Sequence, residues 1–172
     1  MKYQQTWDLE SIFPGGYDSP AANDRLSALA KQINALTISQ AELDLVEDAP
    51  AFTGLQAYLT ARNAIADGLK ELDVFWSAHL SADFNNPAIP PKLAQLTTVK
   101  TNFDDLEVKF GKQLADLSED DFKQLLSQSD FEEISFNLSE IRQQGPRTAG
   151  SSHREHDQQI VHRWFFRLEP SL

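Results

Sequence analysis

Residues 93–117 read LAQLTTVKTNFDDLEVKFGKQLADL, and this stretch decides the fold. Leu93, Leu96, Val99, Phe103, Leu106, Phe110, Leu114 and Leu117 recur at intervals of three and four residues. An α-helix turns once every ~3.6 residues, so this rhythm puts all of them on one stripe of a single long helix. Lys, Asp, Glu and Thr fill the positions between and form its polar face. A half-buried strand would instead alternate with period two, and no part of the chain sustains that pattern.

Working outward, Asn85-Asn86-Pro87-Ala88-Ile89-Pro90-Pro91 interrupts the pattern on the upstream side, since prolines cannot continue a helix. Before this break, from Pro50 to about Ala82, Leu55, Tyr58, Leu59, Ile65, Leu69, Leu72, Trp76 and Leu80 form a second, broader apolar face. Two helices of such length with a short Pro-rich connection are expected to pack as an antiparallel hairpin. Earlier still, Ser19-Pro20 is an N-cap followed by a proline at the first helical position. Leu26, Leu29, Ile33 and Leu36 then mark one stripe of another amphipathic helix. The region from Thr37 to Ala49 is less periodic, and Ser39 with Glu42 has the form of a capping box that would restart a helix.

Downstream, Ser118 with Asp121 is a capping-box variant that opens a helix carrying Phe122, Leu125 and Leu126. A last segment, Phe131 to Arg142, carries Ile134, Leu138 and Ile141. At the other end, Asp8 is placed to cap a short helical turn that buries Leu9, Ile12 and Phe13, stopped by Pro14-Gly15-Gly16. The expected fold is all-α, a long antiparallel helical hairpin with additional shorter helices. No fixed period of self-similarity points to a solenoid.

The 172 residues suit one domain, and an apolar share of 41% with 11 Phe and 3 Trp supplies a core. A net charge of −11 argues against nucleic acid and against an anionic membrane surface, both of which demand surplus Lys and Arg. No cysteine is present, which removes disulfides and thiolate metal sites. No apolar run approaches the ~20 residues of a membrane span. The opening Met1-Lys2-Tyr3-Gln4-Gln5-Thr6-Trp7 lacks the apolar stretch of a signal peptide, so a cytoplasmic location is expected.

The texture changes after Arg142. Residues 143–172 hold His153, His156 and His162, three of the four histidines, together with Arg147, Arg154, Arg163 and Arg167. No apolar stripe matches those before it, and charge, period and composition all shift at one point. Natural domains avoid such a conflict between local and global signals. We therefore expect a helical domain over 1–142 and an atypical, poorly structured tail over 143–172.

Thr6-Trp7-Asp8-Leu9-Glu10-Ser11-Ile12-Phe13-Pro14-Gly15-Gly16, with Ser19-Pro20 shortly after, resembles the opening of oligoendopeptidase F-family peptidases. Phe75-Trp76-Ser77-Ala78-His79-Leu80 is similar to part of that family's N-terminal helical domain. Glu132-Glu133-Ile134 to Leu138-Ser139-Glu140-Ile141-Arg142 resembles the point where members continue into a further helix. The resemblance covers residues 3 to 142 or so, and the start motif is its most specific part. It implies descent from a thimet-oligopeptidase-like zinc metalloendopeptidase that cleaves short peptides.

In that family zinc is held by a helix bearing H-E-x-x-H, two His one turn apart with the Glu as general base, plus a carboxylate ligand. No such motif occurs here, and His153-Arg154-Glu155-His156 differs from it in spacing and order. The resemblance thus implies zinc and oligopeptide substrates for the full-length enzyme, and a catalytic domain missing from this chain. It carries over no catalytic, cofactor-binding or metal-ligating residue.

A shifted reading frame accounts for the tail. Trp has one codon, so Trp164 followed by Phe165 must yield Gly when read one nucleotide later. His156-Asp157 yields only Met or Thr, and Gln158-Gln159 only Asn or Ser. One permitted reading places a D-G turn, then F-F-A-W-N-H, where the family resembled here continues after its helix. The chain is accordingly expected to be truncated by a frameshift near Arg142.

Two further sequence features have competing readings. His153, His156 and His162, with Glu155 and Asp157, have the residue types of a metal site. The neighbouring Gly145, Pro146, Gly150, Ser151 and Ser152 give no rigid element to fix such ligands, so a metal site is not expected. His79 lies among apolar residues, where a structurally satisfied or interfacial histidine is expected. The acidic runs Asp116 to Asp121 and Asp130 to Glu133 read as solvated faces that favour helix N-termini. Apolar surface that a missing domain would cover invites self-association. The alternative to a peptidase fragment is a stand-alone acidic helical module for protein interaction.

Overall fold

Helices account for the regular structure of the described residues. The computed structural model describes residues 8–43, 45, 48–128 and 131–148, with the backbone alone for 48–53 and 145–148. The helices are α1 (Pro20–Ala41), α2 (Asp48–Ala82), α3 (Ile89–Asp116), α4 (Glu119–Leu126) and α5 (Ser135–Thr148). Two 3-10 turns, Leu9–Ser11 and Gly16–Asp18, precede them, and no strand occurs among the described residues. The all-α fold read from the sequence is the fold observed.

Local chemistry explains where α1 starts. Ser19 Oγ accepts the Ala22 amide at 3.4 Å, and Pro20 occupies the first helical position. Leu26, Leu29, Ile33 and Leu36 are buried as their spacing predicts. The expected restart at Ser39 does not occur, because α1 runs on to Ala41 and Glu42 is its C-cap. Gln40 takes the next buried position after Leu36, so tertiary packing overrides the local capping preference.

The hairpin is formed by α2 and α3. Pro50 falls in the first turn of α2, where a missing N–H costs nothing. Pro90 and Pro91 do not belong to the connection, contrary to the sequence reading. They sit in the first turn of α3, whose amides have no partner within the helix in any case, and the link shortens to residues 83–88. The pairing is antiparallel: Tyr58 stacks on Phe110 at 4.9 Å, Arg62 binds Glu107, and Asp73 reaches Lys100 at 3.2 Å. Partners on α3 recede as residues on α2 advance.

The third long member is α1, which lies against both. Its Asn23 accepts from Lys92 at 2.8 Å near the start of α3, and its Gln40 donates to the Leu106 carbonyl at 3.2 Å farther along. It therefore runs parallel to α3 and antiparallel to α2. The approach to α2 is close at Gly68, where an added Cβ would lie 2.9 Å from Leu29 Cδ2. Between the three helices lie Leu29, Ile33, Leu55, Leu72, Phe75, Trp76, Leu96, Leu106 and Phe110, each 2% exposed or less. Phe75, missing from the predicted stripe, is fully buried.

α5 packs along α3, and α4 turns the chain between them. Ser118 Oγ accepts the Asp121 amide at 3.1 Å, so the predicted cap is in place. Arg142 fastens the far end. It donates to the Leu117 carbonyl at 2.9 Å, pairs with Glu119 at 3.1 Å, and lies 4.4 Å from the centre of the Phe122 ring. The helical backbone continues past Arg142 to Thr148, so the first part of segment 143–172 is helical; the rest lies outside the described residues.

Candidate functional site

The segment before α1 is built as a clamp. Glu10, in the first 3-10 turn, accepts the Gly15 amide at 2.8 Å and the Gly16 amide at 2.9 Å through its two carboxylate oxygens. Both glycines have positive φ, 104° and 67°, a conformation that costs a side-chain-bearing residue roughly 1–2 kcal/mol. Asp8 does not cap the turn as expected. The Ser11 hydroxyl instead donates to the Asp8 carbonyl at 2.7 Å. Leu9 and Phe13 pack on the core but are only partly buried, and Ile12 is 39% exposed, so the turn fully buries none of the three predicted residues.

This clamp is seated on the end of α2. Phe13 meets Phe75 edge-on at 5.1 Å, and Trp76 Nε1 donates to the Tyr17 carbonyl at 3.0 Å. His79 meets the same Phe75 ring edge-on at 4.6 Å. Its Nε2 is buried with no hydrogen-bond partner among the described residues, so the expected satisfied histidine is not satisfied at that atom. Lys92, at the start of α3, completes the junction by donating to Asp18 at 2.8 Å and Asn23 at 2.8 Å. The hydrogen bond and charge of Lys92, with help from Asn23, hold the Asp18 carboxyl below its ordinary range.

A second polar cluster lies midway along the hairpin. Arg62 Nε donates to Glu107 at 2.7 and 2.9 Å, and its Nη2 donates to the same carboxylate. Burial disfavours the charged guanidinium, but the hydrogen bonds and charge of Glu107 outweigh it and raise the pKa of Arg62. Tyr58 lies one turn before Arg62, and its hydroxyl is buried without a partner among the described residues. Burial, reinforced by Glu107 and opposed by Arg62, pushes the phenol well above its usual range and keeps it protonated. A charge pair that neutralises itself and a phenol that does not ionise are suited to fixing register, not to proton transfer.

Toward the far end of α1 and α3, Gln40 and Gln113 exchange hydrogen bonds. Gln40 Nε2 donates to Gln113 at 3.2 Å, and Gln113 Nε2 donates to the Gln40 carbonyl at 3.1 Å. They floor an open depression of about 320 Å³ whose rim includes Lys109, Lys112 and Asp116. Lys112 and Asp116 pair with each other at 2.6 Å.

Sequence reasoning missed both polar clusters. The signal for Gln40 was available, since it extends the Leu29–Ile33–Leu36 spacing. Arg62 carried none, because an arginine on a helix reads as solvated unless its partner is known. His153, His156 and His162 lie outside the described residues. Among the described residues, no group of three or more His, Asp or Glu is gathered to hold a metal ion, and no helix is long and apolar enough to cross a membrane. In comparisons with known proteins, no family model matches the chain, and no curated protein or solved structure is significantly similar to it.

Proposed function

We propose that this chain is the non-catalytic N-terminal helical domain of an oligoendopeptidase F-like zinc metalloendopeptidase of the cytoplasm, truncated by a frameshift near Arg142. One observation carries the reading. Two of the stretches that resemble the family, the opening clamp and Phe75 to Leu80, are distant in sequence yet meet in space. Phe13 meets Phe75 edge-on, and Trp76 donates to the Tyr17 carbonyl. A resemblance confined to chance positions has no reason to converge on one junction.

In the parent enzyme, zinc would activate a water for attack on a peptide carbonyl, with a glutamate as general base. The ligands for that ion lie beyond this chain, since it has no H-E-x-x-H and its residues do not fit the site. Its own contribution is a rigid helical wall that helps enclose a cleft for short, unfolded peptides. The chain alone is inactive in this reading.

The coding sequence decides the matter. Read one nucleotide later after Arg142, it should continue as a peptidase through H-E-x-x-H; a frame without that motif overturns the proposal. Restoring the frame should yield zinc-dependent cleavage of short peptides, and the chain as given should cleave none. A second reading, an acidic helical interaction module, draws support from Phe84 and Phe136, which are 81% and 59% exposed on a protein of net charge −11. It predicts that the next frame encodes no enzyme and that the chain captures a partner by itself.

A further inference from the structure

We draw no further inference here: the strongest candidate, the exposed ring of Phe84 in the turn between α2 and α3, belongs to an unpartnered apolar surface, and nothing in the structure shows what covers it.

Discussion

Tyr58 is a residue whose chemistry works against the fold. Its ring fills the space beside Phe110, yet its hydroxyl is buried and unpartnered among the described residues. An unsatisfied buried hydroxyl costs ~1–3 kcal/mol, and removing the oxygen leaves the packing intact. We expect Tyr58→Phe to stabilise the protein by about 1 kcal/mol, seen as a higher urea midpoint with an unchanged slope. A loss of stability would mean that the hydroxyl has a partner. Asp18 makes a prediction of the opposite kind. Its carboxyl lies below the usual 3.8 in the folded state because Lys92 favours the ionised form. The unfolded chain therefore binds the proton more readily, and the stabilisation is present above pH 3.8 and is lost as pH falls through the lower, folded value. Asp18→Asn should melt below the wild type at pH 7, and the two melting curves should converge under strong acid. A gap that persists at low pH would show that Lys92 is not the cause.

At the scale of the element, the close approach of α1 and α2 depends on Gly68. An isolated helix gains ~1 kcal/mol when Gly becomes Ala, and an exposed site would follow that rule. Here the new methyl would lie 2.6 Å from the flexible end of Arg25, which can swing aside, and 2.9 Å from Cδ2 of the fully buried Leu29. Overpacking of this kind costs ~1–3 kcal/mol, so Gly68→Ala should destabilise by about 1 kcal/mol net. In a Leu29→Val background, which lacks the offending methyl, the same substitution should cost less, as a double-mutant cycle would show. Equal costs in both backgrounds would place the clash elsewhere. The helices themselves were legible because their apolar spacing is long and regular, and the Ser19 and Ser118 caps because capping chemistry is local. What escaped was set by distant partners. The spacing of Leu29, Ile33 and Leu36 extends to Gln40, but its bonds to Leu106 and Gln113, which carry α1 past its predicted end, are not visible near Thr37 in sequence. Pro90 and Pro91 misled for a related reason: proline stops one helix and starts the next with equal ease, and the residues alone do not say which. The candidate junction was half legible, since the clamp residues and Phe75-Trp76 are separate motifs in the sequence and meet only in three dimensions.

For the whole molecule, the question is where the self-sufficient unit ends. Among the described residues, those of the buried core lie at or before Leu138, and Ile141 packs against them. Arg142 closes the unit by binding the Leu117 carbonyl and Glu119 and covering the Phe122 ring. Beyond it, α5 continues to Thr148, but Gln143 is exposed, and no residue after Arg142 enters the core among those described. A chain ending at Arg142 should therefore keep its cooperative thermal transition within about 4 °C of the longer chain, a shift of roughly 1 kcal/mol for a protein of this size. Circular dichroism at 222 nm would record both the helical signal and the midpoint. Arg142→Ala in the shortened chain should then lower the midpoint by several degrees, because it removes the charged tie between α5 and the end of α3. A truncated chain that melts without cooperativity would place essential packing within 143–172. A misread continuation has no reason to supply such packing, so that outcome would also count against the proposed frameshift.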